Sequence, residues 1–146
     1  MPEQETIERA QEDAREGKSR STQAGEFVRE EMEHIREGKH GARSAKQAIA
    51  IGLSKARRAG VKLPPPKRGS ARTKKQAARD SRKAGSPRKP SRTRSRAVRK
   101  ALKREPRRAA SHRALSRQAR SAAGRRTKAS RSRAAKKAAR TRKRKR

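Results

Sequence analysis

The chain has 146 residues, 48 of them Lys or Arg and 13 Asp or Glu, for a net charge of +35. Only 27% are hydrophobic and none is Cys, which excludes a large core, disulfides, thiolate metal sites and cysteine nucleophiles. Length allows one domain at most, and the charge demands a polyanionic partner.

Charge divides the chain into three zones. Residues 1–40 hold eleven acids against seven bases, and residues 41–66 hold six bases and no acid. From Lys67 to Arg146 there are 35 bases and two acids, Asp80 and Glu105. The start, Met1-Pro2-Glu3-Gln4-Glu5, is acidic and unlike a signal peptide. No run approaches the ~20 apolar residues of a membrane span. The expected protein is soluble, cytoplasmic and without membrane contact.

In chain order, residues 1–24 read as an acidic helix, about Glu3 to Glu16, stopped by Gly17 and followed by a linker, Gly17–Ala24. Ile7 is its one large apolar residue, so the helix is expected to lack a face worth burying. Residues 25–66 read as a helical hairpin core. Its first helix, Glu26–Glu37, carries Val28, Met32 and Ile35 on one stripe with Phe27 beside it. The turn Gly38-Lys39-His40-Gly41 closes it, a connecting turn rather than a phosphate loop. The second helix, Ser44–Ala59, opens on a capping box, Ser44 with Gln47. Its stripe is Ala45, Ala48, Ile49, Gly52, Leu53 and Ala56, and Gly60 with Val61 suits a Schellman end. Pro64-Pro65-Pro66 then forms a stiff spacer.

Residues 67–146 hold only three apolar side chains larger than Ala: Val98, Leu102 and Leu115. Such a tail is expected to be largely disordered when free, although prone to helix. Ser or Thr beside Arg recurs, as at Ser91-Arg92, Ser95-Arg96, Ser116-Arg117 and Ser132-Arg133. Arg96–Arg104 and Arg131–Arg142 have good helix propensity. Pro87, Pro90 and Pro106, with Gly85 and Gly124, cut the tail into short pieces. The fold class expected is all-α and small: a helical hairpin followed by a disordered basic tail.

The inventory points away from an enzyme and from any cofactor. The three His, His34, His40 and His112, show no catalytic or metal-cage spacing. His34 lies among Glu30, Glu31, Glu33 and Glu37, which read as a solvated acidic helix face, so no metal is expected. Phe27 is the only aromatic residue, so base stacking is unavailable. Phosphate contact by Arg and Lys remains. Arg outnumbers Lys in the tail by 23 to 12, favouring planar bidentate contacts. Representative contacts are Arg88, Lys89, Arg107, Arg108, Arg125, Arg126, Arg140, Arg142, Lys143, Arg144, Lys145 and Arg146. A sequence-reading helix-turn-helix would use Lys46, Lys55, Arg57 and Arg58, opposed by the acids of the partner helix. The acidic zone offers a further device, shielding the tail until nucleic acid competes it off.

Two resemblances follow from these residues. The stretch Gly38 to Gly60, with Lys46-Gln47-Ala48-Ile49-Ala50-Ile51-Gly52-Leu53-Ser54 at its centre, resembles a family of small bacterial proteins of unknown function, covering about residues 25–66. It implies bacterial origin and brings no activity. The tail resembles the C-terminal domain of linker histone H1 and H1-like bacterial nucleoid proteins, and Ser86-Pro87-Arg88-Lys89 is close to the Ser-Pro-basic-basic turn of such tails. It departs from them in having Arg exceed Lys and no winged-helix domain before the tail. That resemblance implies condensation of bulk DNA.

The expected function is sequence-nonspecific DNA binding and nucleoid compaction by phosphate neutralisation. One alternative is an RNA- or ribosome-associated basic protein. Another is a regulatory protein whose hairpin, residues 26–60, binds a protein partner or a second copy while the tail localises it on DNA.

Overall fold

The computed structural model describes residues 2–86 and 91–144. Among them seven α-helices and one 3-10 turn are found, and no strand: α1 (Gln4–Arg15), α2 (Arg20–Arg36), α3 (Ala45–Arg58), α4 (Ala71–Arg82), α5 (Arg92–Arg104), the 3-10 turn Arg107–Ala110, α6 (His112–Gly124) and α7 (Lys128–Arg144). The chain divides into two compact units, Met1–Ser111 and His112–Arg146.

In the first unit α2 and α3 form the expected hairpin, and local chemistry explains its bounds. Ser44 Oγ accepts the Gln47 N–H at 3.2 Å, while Gln47 Oε1 accepts the Arg43 N–H at 2.8 Å, one residue before the expected reciprocal partner. The α3 end is a Schellman motif: Val61 N–H donates to Ala56 O and Gly60 N–H to Arg57 O, with Gly60 at φ 102°. Lys39 N–H to His34 O and Gly38 N–H to Ile35 O repeat it at the end of α2. Those bonds occupy the Gly38 and Lys39 N–H groups, and Gly41 N–H donates to Leu102 O.

The hairpin is held by small residues at the crossing. Ala45, Ala48, Gly52 and Ala56 are buried on α3, while Ile49 and Leu53 are half-buried. A Cβ on Gly52 would stand 2.7 Å from Val28 Cα, so only glycine lets α2 approach this closely.

Three expectations need correction. The linker ends at Ser19, whose Oγ accepts the Thr22 N–H, so α2 begins six residues before Glu26. This N-cap outweighs the weak helix signal of the Ser-Thr stretch. The first helix does have a face: Ile7 and Ala10 pack with Ala24, Phe27 and Ala56, and Arg9 Nε bonds Glu26 Oε2 at 3.0 Å. Its apolar area is small, but a flat Ala surface fits against α2.

The third correction concerns the tail: disorder is the expectation from its composition, yet its described residues are mostly helical. That expectation counts only side chains larger than Ala as anchors. Here Ala77 on α4, and Ala109 and Ala110 in the 3-10 turn, are buried, with α4 packed on α3 and the turn on α2 and α3. Ser70 Oγ caps α4 at the Thr73 N–H, and Ala, Arg and Lys carry high helix propensity. Helices α5, α6 and α7 bury no residue, so they rest on local preference. Gly85 (φ 68°) closes the turn after α4, Pro106 follows α5, and Gly124 ends α6, as the breakers predict.

Candidate nucleic-acid interface

Helix formation brings many of the tail's bases onto common faces. Residues three, four, seven and eleven apart share one side of an α-helix. On α4, Arg72, Lys75, Arg79 and Arg82 share a side, opposite the buried Ala77 and Asp80. On α5 Arg92, Arg96, Arg99 and Lys103 share a side, with Val98 and Ala101 opposite, next to Arg94. On α6 the stripe is Arg113, Arg117 and Arg120, facing away from Leu115, Ala119 and Ala122. On α7 Arg133, Lys136, Lys137, Arg140 and Arg144 share a side, while Lys128, Arg131 and Arg142 share the other, so this helix is basic all round. A depression on α4 is lined by Arg72, Lys75, Gln76 and Arg79.

The two acids of the tail lie off these stripes. Asp80 is 2% exposed, and its Oδ2 accepts from Ser54 Oγ at 2.8 Å. Its Oδ1 accepts from Arg58 Nε at 3.0 Å and Nη2 at 2.8 Å. Glu105 sits at the end of α5, where its backbone carbonyl covers Gly41. The stripes are left as cationic surfaces.

The residues expected to contact nucleic acid are distributed over both units. Arg107 and Arg108 are exposed on the 3-10 turn, the Arg107 guanidinium lying over Gly38, where a Cβ would stand 3.0 Å from Nη1. Arg125 and Arg126 follow Gly124, and Arg126 donates to Ser130 Oγ at 3.3 Å. Arg140, Arg142, Lys143 and Arg144 are exposed in the last turns of α7; Arg140 and Arg144 lie on its stripe and Arg142 does not. Arg88, Lys89, Lys145 and Arg146 lie outside the described residues, as does most of the Ser86-Pro87-Arg88-Lys89 turn. Sequence reasoning alone does not single out Arg72, Lys75, Arg96, Arg99, Arg113, Arg117, Lys136 and Lys137. Their signal is the helical spacing of bases between capping Ser residues and breakers.

The hairpin does not present a reading helix. Lys55 Nζ contacts Glu30 Oε1 at 2.9 Å and Glu31 Oε2 at 2.8 Å, Arg57 is buried with Nη2 toward Pro64 O, and Arg58 pairs with Asp80. Only Lys46 of the four is exposed without such an engagement.

Nor do Glu30 and Glu31 form a solvated face, as expected from sequence: both are buried, toward Lys55, while Glu37 is exposed. Burial alone would push Lys55 down, but the Glu31 and Glu30 carboxylates outweigh it and hold the ammonium above its ordinary range. Burial likewise opposes the charge on Glu30, yet Lys55 and the Glu3 N–H hold its carboxyl below the usual range. Zone-one acids pair largely within their own zone: Arg9 with Glu5 and Glu26, Lys18 with Asp13 and Glu16, Arg29 with Glu33, and Lys39 with Glu3 and Glu37.

No helix of the described residues is long and apolar enough to cross a membrane. No curated protein and no solved structure matches the chain. Residues 3–68 match the model of a family of unknown function, DUF6496. The body formed by α1, α2 and α3 is thus similar to an uncharacterised domain, while the helices carrying the basic stripes lie beyond the matched span.

Proposed function

We propose that the protein binds DNA without sequence preference and compacts it, in the manner of an H1-like nucleoid protein, by neutralising phosphates along the basic stripes of α4 to α7. The observation that carries this reading is the spacing of charge: bases recur at helical intervals on one side of α4, α5 and α6 and all round α7, while Asp80 is buried against Arg58 away from them. Arg-rich surfaces of this kind engage phosphate through bidentate contacts. With one aromatic residue in the chain, buried Phe27, stacking on bases contributes nothing. Neutralised duplex segments can approach one another, and compaction follows from binding. No catalytic step is part of this function.

Titration of labelled duplex of several sequences with the full chain, across a salt series, tests the proposal. Displacement of about ten counterions gives a log–log salt slope near −9, with the same affinity for each sequence. Competition by tRNA at concentrations far below those of duplex DNA would move the assignment to an RNA-associated protein. Failure to bind either at low salt would reject both.

A further inference from the structure

The most unusual chemistry in the first unit lies where α2 ends, away from the basic stripes. Glu31 is fully buried, and neither carboxylate oxygen accepts a hydrogen bond of good geometry. Lys55 Nζ approaches Oε2 at 2.8 Å and His40 Nε2 approaches Oε1 at 3.2 Å. One ligand atom from each of Glu31, His34 and His40 falls within 4.8 Å of the others. The rings of His34 and His40 stand edge to face with centroids 6.2 Å apart.

The outer nitrogens of both rings are already committed. His40 Nδ1 lies 3.0 Å from Gly41 O, a carbonyl that can only accept, so Nδ1 donates there and Nε2 is the nitrogen that faces Glu31. His34 Nε2 lies 2.8 Å from Glu3 Oε1, whose carboxyl is held below its usual range by His34 and Lys39. Nε2 therefore donates, and Nδ1 is the nitrogen left on the inner side, 3.9 Å from Glu30 Oε1. A backbone carbonyl behind one imidazole and a carboxylate behind the other is the outer-shell arrangement of metal-binding histidines.

Charge adds a second argument. Two buried carboxylates, Glu30 and Glu31, face one half-buried ammonium, Lys55. With the imidazoles neutral, as metal ligands are, one carboxylate charge is left to be matched, and Glu31 Oε1 stands 3.2 Å from His40 Nε2. A metal cation between them supplies that charge and takes both atoms as ligands. Zinc bonds of about 2.0–2.1 Å place tetrahedral donors about 3.3 Å apart, close to that separation.

We propose that Glu31, His34 and His40 form a binding site for a divalent transition-metal ion of the zinc type. Two imidazoles and one carboxylate suit zinc and leave a fourth position for water. The His34 and His40 side chains are 12% and 15% exposed, giving the ion an entry from solvent. The bound ion braces the end of α2 against the loop that leads to Gly41 and Ala42, whose N–H groups hold Leu102 O and Pro106 O. It would thereby stiffen the point where the basic helices attach to the body.

The test is titration of the metal-stripped full chain, free of nucleic acid, with zinc against a chromophoric chelator, and with cobalt(II) for its visible absorption. The expected result is one ion per chain and cobalt bands of tetrahedral coordination. H34A and H40A should each weaken zinc at least about tenfold, as should E3Q through the outer shell. H112A should leave affinity unchanged. Because a variant can misfold, imidazole nitrogen resonances of the unmodified chain supply an independent readout. Shifts at His34 and His40, and none at His112, support the site. Absence of saturable binding, unmoved His34 and His40 signals, or equal loss in H112A would overturn it.

Discussion

The guanidinium of Arg58, on α3, donates through Nε and Nη2 to one oxygen of Asp80, on α4, at 3.0 and 2.8 Å. Asp80 is thereby the anchor of the first basic helix rather than a stray acid in a cationic tail. Ser54 Oγ and Gln76 Nε2 complete its hydrogen bonding. Replacing Asp80 by Ala removes charge-assisted bonds from a buried position. Arg58, about half exposed, regains water, so the expected cost is about 1–3 kcal/mol rather than the larger loss of a fully buried pair. Amide exchange across residues 71–82 should accelerate while α2 and α3 stay protected. Unchanged exchange in α4 would show that its docking rests on Ala77 instead.

Gly41 marks the second attachment. A Cβ there would stand 1.8 Å from Glu105 O and 2.4 Å from its carbonyl carbon. Gly41→Ala must therefore push the α5 end outward and break the bonds from Gly41 and Ala42 to Leu102 O and Pro106 O. The expected destabilisation is about 1–3 kcal/mol, as for overpacking. It should be read as a lower urea midpoint and faster exchange at Ala109 and Ala110, which the 3-10 turn buries. A midpoint equal to that of the unmodified chain would contradict the close approach.

Much of the hairpin is legible in the sequence because its signals are local. Ser44 with Gln47, Gly60 with Val61, and Gly38 after α2 each act within a turn of helix, and each is found where expected. What escapes sequence reading depends on residues far apart in the chain. Glu30 and Glu31 look solvent-facing until Lys55, on another helix, is placed beside them. Ala77, Ala109 and Ala110 look too small to anchor anything, yet burial of an Ala against a flat helix face needs no large side chain. The tail's total charge is evident at once; its division into stripes is not, because helix registers restart after each breaker.

Two serines, each just before a helix, separate capping from mere position. Ser44 Oγ accepts the Gln47 N–H, whereas Ser91, which precedes α5, makes no side-chain cap. Ser44→Ala should lower stability by about 1 kcal/mol. Ser91→Ala should leave the unfolding midpoint within experimental scatter. Chemical denaturation of the two variants in parallel checks the pair, and an equal loss in both would show that the α5 serine caps its helix in solution.

The basic stripes predict how individual charges enter DNA affinity. Arg113, Arg117 and Arg120 line one side of α6, a helix with no buried residue, so changing them to Gln leaves little to destabilise. Removing one Arg–phosphate pairing flattens the log–log salt dependence by about 0.9. The triple variant should therefore bind duplex with a slope shallower by about 2 to 3, and any one of the three alone by at most about 1. Arg57 is as basic but buried, with its side chain turned to Pro64 O. Arg57→Gln should leave the slope unchanged. Anisotropy titrations over a salt series measure each slope; if Arg57→Gln and Arg117→Gln flatten it equally, affinity follows total charge and the stripes have no part in it.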